Sequence, residues 1–200
     1  MYLDNVRRLL RRFGVLLVLI GIALVFALSS PRFLTTSNLL NIALQTAIIA
    51  IVVIGETYVI LTSGIDLSVG SVIALTGAIA AGLATGGLGT FGGIGVALLA
   101  GIAVGAVNGL LIVRGGLPPF VATLAMLAIA RGLTLVYTQG RPISGLSQSF
   151  IFLGNGRVLG VGFPVIVLIV VAIVAHIVLR HTRFGLHVLA VGGDAETARL

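Results

Sequence analysis

Residues 61–71 read LTSGIDLSVGS, with one acid, two glycines and three serines set between two long apolar runs. Their reading decides the fold. The run before them, about 39–62, and the run after them, about 69–86, are each long enough to cross a hydrocarbon layer of about 30 Å at 1.5 Å per residue. If the chain reverses between them, the two runs are antiparallel helices. Gly64 can take the positive φ that ends a helix. Asp66 or Ser68 can cap the next one, because a short side-chain oxygen accepts from the exposed N–H groups of a first turn. Two readings stay open: a tight turn near the headgroups, with Asp66 complementing a helix N-terminus, or a broken-helix element whose backbone and small polar side chains line a path for a hydroxylated solute.

The composition favours lipid as the surrounding solvent. Of 200 residues 58% are hydrophobic and 8% charged, against about 25% charged in soluble domains, and the mean hydropathy is +1.25. Apolar runs recur at about 13–29, 39–62, 69–86, 92–113, 118–137 and 161–179, without the alternation of a barrel strand. The predicted fold class is an all-α membrane protein, a polytopic bundle of about six transmembrane helices forming one domain over residues 1–200. The first run follows basic residues, as in a signal peptide. However, it is long for one, Leu28-Ser29-Ser30-Pro31 is only a fair cleavage site, and further spans follow, so a first transmembrane helix is expected.

The net charge of +7 comes from twelve arginines and no lysine. They flank apolar runs rather than interleave with aromatics, which excludes nucleic acid as a partner and assigns them to membrane orientation. Arg7, Arg8, Arg11 and Arg12 precede the first span and Arg180 and Arg183 follow the sixth, so both termini are expected in the cytoplasm. Arg114 and Arg199 join them inside, Arg32, Arg141 and Arg157 lie outside, and Arg131 falls within the fifth span. With no cysteine there is no disulfide framework or thiolate metal site.

Polar residues within the apolar runs are the candidates for chemistry. Glu56 lies inside the second span, where an ionisable group costs about 2.5–3.5 kcal/mol on insertion scales. Arg131 differs from it in depth by about 10 Å, so pairing the two would need tilt and extended rotamers. Gln45, Asn108 and His176 each suit an interhelical hydrogen bond. Asn108 ranks first for a sugar route, because an amide offers donor and acceptor together. His176 lacks the companions of a metal site. Gly101, Gly105 and Gly109 leave a smooth helical stripe suited to close packing. No nucleotide-binding lysine motif and no nucleophile triad occurs, so the chain is read as a non-enzyme.

Three stretches carry a family resemblance. GIDLSVGS followed by VIALTGAIAAGL (64–83) resembles the signature of bacterial ABC-transporter permeases for ribose-type monosaccharides. LPPFVATLAMLAIARGLTLVYTQGRPI (117–143), with Asn108-Gly109-Leu110-Leu111 upstream, is similar to that family's PPF, TL, ARGL and T-x-GRPI pattern. In place of the frequent TLGTM, this chain has Thr123-Leu124-Ala125-Met126-Leu127, a small-for-small exchange. The tail TRFGLHVLAVGGDAETARL (182–200) resembles the loop that docks on the ATPase subunit.

The resemblance implies an inner-membrane translocator importing a pentose or hexose, and two permease subunits alternating between outward-open and inward-open states. It also implies a cytoplasmic ATP-binding subunit and a periplasmic sugar-binding protein as partners. No cofactor would be bound by this chain, ATP being used by the partner. The translocation path is expected at Glu56, Asp66, Ser68, Asn108 and Arg131. ATPase docking is expected within 180–200, at Phe184, Gly185, Gly192, Gly193, Glu196, Ala198 and Arg199, with a short amphipathic helix after Gly192-Gly193 capped by Asp194. Family members continue beyond this loop, so the chain is expected to match the N-terminal two-thirds of a permease. The rival classes are a passive channel for small neutral solutes and a non-transport membrane scaffold.

Overall fold

The computed structural model describes residues 2–194 and Ala198, with side chains from Phe13 onward. Helices dominate: α1 Tyr2–Ser29, α2 Thr36–Leu61, α3 Val69–Leu83, α4 Gly89–Val113, α5 Pro119–Thr138, α6 Gln148–Asn155, α7 Phe163–His181 and α8 Arg183–Gly193. The chain divides into two compact units, residues 1–45 and 46–200, with the boundary inside α2. In the first unit Phe26 stacks on Phe33, ring centroids 5.7 Å apart. The Asn38 side chain donates to the Phe33 carbonyl at 2.7 Å, shaping the turn into α2.

Among the described residues, four apolar helical stretches are long enough to cross a membrane: 36–61, 69–113, 119–138 and 163–181. The second is folded back on itself. A π-type turn over Ala84–Leu88 places Gly87 at φ 106° and Gly89 at φ 72°, values open to glycine at no steric cost. The α3 and α4 strokes then run antiparallel, with Ala80 beside Gly93, Thr76 beside Gly101 and Ser68 beside Asn108. The break at 61–71 separates α2 from α3 and the reversal at 84–88 follows it; the limits of α2 to α5 and of α7 agree with the sequence reading to within a few residues, whereas α1 begins at Tyr2, well before the expected start at 13.

The interior is built from small residues, as expected where lipid tails offer large apolar side chains the same environment outside as inside. Ala47, Ala80, Ala97, Ala122 and Ala130 are five of the eight buried apolar residues among those described, while Leu98, Leu99 and Ile102 of α4 point outward. α3 packs along both α4 and α5. The closest approach is at Gly93, where an added Cβ would lie 2.5 Å from the Ala80 carbonyl oxygen and 3.0 Å from the Ala84 nitrogen. Backbone cannot give way as a flexible side chain can. Gly93→Val is thus expected to part the hairpin and cost about 1–3 kcal/mol. A lowered thermal unfolding midpoint in detergent checks this, and an unchanged midpoint contradicts it.

At the end of the second unit opposite the 61–68 loop, the structure adds elements the sequence reading lacked. Ser147 caps α6 by accepting from the Phe150 N–H at 3.3 Å. Its hydroxyl forms a triangle with those of Thr90 and Ser149 at 2.8–2.9 Å, which ties the start of α4 to α6. A two-residue hairpin pairs β1 Arg157–Val158 with β2 Val161–Gly162. Leu159 and Gly160 both take positive φ in its turn, as a tight hairpin of this twist requires.

Two local expectations are corrected. Ser63, at φ 59°, and not Gly64, takes the left-handed conformation that ends α2. Gly64 instead allows close approach, since a Cβ there would meet Val59 at 3.1 Å. The amphipathic helix expected after Gly192-Gly193 falls mostly outside the described residues; ahead of it the structure adds α8, Arg183–Gly193, which Asp194 ends. The Thr182 hydroxyl starts α8 by accepting from the Gly185 N–H at 3.3 Å. Of the glycine stripe on α4, only Gly101 meets another helix, with Thr76 at 3.6 Å; Gly105 and Gly109 have open space before them. They border a cavity.

Candidate functional site

The loop joining α2 to α3 is held from three directions. Asp66 Oδ1 accepts from the Ser68 N–H at 2.7 Å and from the Ser68 hydroxyl at 2.6 Å, an Asx-type turn one step ahead of α3. From α4, Asn108 Nδ2 donates to Ser68 Oγ at 3.2 Å. From α5, the Thr123 hydroxyl lies 2.8 Å from the Pro119 carbonyl oxygen and 3.2 Å from that of Ile65, sharing one hydrogen between its own helix and the loop. Ser68, Asn108 and Thr123 are buried. The sequence-level alternatives for the cap resolve into a relay: Asp66 supplies the oxygen, and Ser68 occupies the N-cap position without capping through its own side chain.

Beside this loop lies a cavity of about 570 Å3. Tyr58, Val59 and Thr62 of α2, the loop from Gly64 to Asp66, the Gly105–Val113 face of α4, Pro119 and Thr123 of α5, and Phe184, Val188 and Val191 of α8 line it. Asp66 is the one charged side chain among these lining residues, and the rest of the wall is apolar or carries hydroxyl and amide groups. A smaller chamber of about 110 Å3 adjoins Asp66, Ser68, Gly105 and Asn108. Asn108 Oδ1 is buried and has no hydrogen-bond partner. Leaving such an acceptor unpaired costs about 1–3 kcal/mol, which marks the position as one where a donor is wanted.

Asp66, Ser68 and Asn108 therefore come together in one network. Glu56 is half-buried on α2, within electrostatic range of Asp66 but outside the cavity lining. Arg131 is exposed and stands elsewhere, in a shallow pocket with Gly70, Ser71 and Ala74 of α3. It makes no ion pair with Glu56. Tyr58, Thr62 and Thr123 were not singled out from the sequence as site residues. Their signal was available as hydroxyl-bearing side chains at the loop-facing ends of otherwise apolar helices.

Of the expected docking residues that are described, Phe184, Gly185, Gly192 and Ala198 have contacts within the chain and Gly193 faces open space. Gly185 packs against the Leu179 carbonyl at the end of α7, and Gly192 against the Leu61 carbonyl at the end of α2. In both places a Cβ would collide with backbone. Phe184 lies 6.2 Å, ring to ring, from Tyr58, whose hydroxyl donates to the Ala175 carbonyl of α7 at 2.6 Å. Gly193 ends α8 with open space around it, and Ala198 N–H donates to the Asp194 carbonyl at 3.0 Å. Glu196 and Arg199 lie outside the described residues.

Comparison with known proteins places this geometry in a family. Residues 38–200 match the model described as the permease component of branched-chain amino acid transport systems. The ribose import permease protein RbsC of Escherichia coli K12 is 43% identical over 96% of this chain and 61% of its own length. That of Bacillus subtilis is 42% identical over 94% of this chain and 59% of its own. The D-allose transport system permease protein AlsC of Escherichia coli K12 is 37% identical over 94% and 58%. The chain thus spans about three-fifths of the length of these curated relatives. No solved structure matches it. With most of its residues matched and its apolar helices folded as described, the chain belongs to this family of multi-pass membrane permeases.

Proposed function

We propose that the chain provides membrane-spanning helices and part of the solute path of an ATP-driven importer for a neutral monosaccharide of the ribose type, in a bacterial inner membrane. The observation that carries this reading is the charge of the cavity: one carboxylate, Asp66, and no cationic side chain in the lining among the described residues. A solute bearing a carboxylate, such as an amino acid, would meet repulsion there with no guanidinium to offset it, whereas a polyol finds hydroxyl and amide partners and an apolar wall. The names of the relatives, ribose, D-allose and L-arabinose permeases, support the same class.

In this reading Asp66, Ser68 and Asn108 border the route, Glu56 tunes the electrostatics behind it, and Arg131 anchors α5 away from it. The end carrying the 61–68 loop and α8 faces the cytoplasm, as the arginine distribution requires. The tail from Phe184 through Arg199 meets an ATP-binding subunit that performs the hydrolysis, a second permease subunit completes the path, and a periplasmic sugar-binding protein delivers the solute. This chain carries no cofactor. Phe184, Val188 and Val191 put α8 in the cavity wall itself, so a displacement of α8 alters the space open to solute directly. Nucleotide then shifts the conformational balance through contacts that differ between the two states.

The test is reconstitution of the transporter with its ATP-binding and sugar-binding partners in proteoliposomes. ATP-dependent uptake of D-ribose is expected. Equal flux without ATP would instead establish a passive channel, and no flux of any pentose or hexose would contradict the transport reading.

A further inference from the structure

A carboxylate accepts hydrogen bonds and donates none, and Asp66 Oδ1 takes both hydrogens that Ser68 has to give. With its one hydroxyl hydrogen committed, Ser68 Oγ can meet Asn108 only as an acceptor. The Asn108 amide is thereby turned with Nδ2 toward Ser68 and Oδ1 away from it. The consequence is the orphaned Oδ1, the one buried side-chain polar atom without a partner among the described residues. Asn108 is only 5% exposed, yet it borders both the 570 Å3 cavity and the 110 Å3 chamber. Asp66 thus sets, two hydrogen bonds away, which end of an amide is left to be filled.

We propose that Asn108 is the specificity-determining residue of this cavity, its Oδ1 accepting from one hydroxyl of a neutral polyol when the contacts that cover that oxygen part, with Asp66 and Ser68 as the positioning pair that fixes the amide's orientation. The inference rests on the transport reading and deepens it by naming the hydrogen bond that is read. A hydroxyl is the group that fits. An ether or a deoxy carbon brings no hydrogen and leaves Oδ1 unpaired, while a full positive charge must be desolvated against a mostly apolar wall. A site built to bond a solute hydroxyl refuses the analogue that lacks it far more strongly than an apolar pocket refuses a missing methylene.

The experiment titrates the purified chain in lipid nanodiscs with D-ribose and with its 2-deoxy, 3-deoxy and 5-deoxy analogues by calorimetry. At least one deoxy analogue is expected to bind about tenfold more weakly than ribose, or worse. Asn108→Leu brings that ratio to about one. Ser68→Ala, which frees the amide to turn, lowers the ratio with Asn108 still in place, and Ser68→Thr, which keeps the hydroxyl, restores it. A change confined to overall stability would not move a ratio of affinities, and Ser68→Ala carries the test alone if Asn108→Leu fails to fold. Equal binding of ribose and all three analogues to the unaltered chain, or an undiminished ratio in Asn108→Leu or Ser68→Ala, overturns the inference and leaves the transport reading standing. Failure of the unaltered chain to bind ribose or any other pentose or hexose overturns the inference, while the transport reading is decided by ATP-dependent uptake in the reconstituted transporter.

Discussion

Asp66→Ala is expected to destabilise the chain by on the order of 3 kcal/mol, seen as a large drop in the thermal unfolding midpoint in detergent. Two hydrogen bonds end on this carboxylate, from the Ser68 N–H and the Ser68 hydroxyl. Bonds to a charged group contribute about 1.5–3 kcal/mol each, and two that share one oxygen sum to less than twice that. The loss spreads beyond the loop. Once released, the Ser68 hydroxyl no longer fixes the Asn108 amide, so the link from α4 to the 61–68 loop loosens as well. Asp66→Asn keeps an acceptor without the charge and should retain roughly half of the effect. If both variants unfold within about 0.5 kcal/mol of the unaltered chain, the loop is not held by Asp66.

Gly192→Val should cut ATP-dependent D-ribose uptake at least tenfold while hydrolysis by the partner subunit continues. A Cβ at residue 192 collides with the carbonyl of Leu61, the last residue of α2. That carbonyl belongs to backbone, so α8 has to move. Leu61 is also where the 61–68 loop begins, and three residues of α8 line the cavity that this loop borders. Displacing α8 therefore changes the cavity and its link to the tail together. Gly95→Val is the internal control, because residue 95 lies outside the tail and the cavity lining and a Cβ there meets nothing within 4 Å. Uptake and hydrolysis measured on the same proteoliposomes decide the matter. Equal uptake by both variants and the unaltered chain would remove α8 from the transmission path.

What the sequence made legible was whatever follows from solvent and local chemistry. Long runs of Leu, Ile, Val and Ala mark helices in lipid because no other single-chain element satisfies its own backbone there. The span limits follow from the same polar interruptions seen in the structure. The 61–71 break was readable as a cap because Asp and Ser have few roles at a helix start, although left-handed Ser63 displaced the expected Gly64. What sequence spacing alone did not determine was which partner faces a stripe. Gly101, Gly105 and Gly109 share one side of α4, and only Gly101 meets a neighbour, Thr76 of α3, while the other two face open space. α6 and its hairpin are short and depend on the hydroxyl triangle of Thr90, Ser147 and Ser149, residues far apart in the chain. The orphaned oxygen of Asn108 was invisible for the same reason, since it follows from a relay that begins at residue 66.

The central claim is that the Gly105–Gly109 face of α4 borders a solute-filled space rather than a helix or lipid. The chain has no cysteine, so a single introduced thiol reports unambiguously, and a Cβ at Gly109 meets nothing within 4 Å. In inside-out vesicles, Gly109→Cys should react with a membrane-impermeant thiol reagent and be protected by D-ribose, while Leu99→Cys, on the outward face of the same helix, should stay unreactive. An inert Gly109→Cys beside a reactive Leu99→Cys would contradict the account.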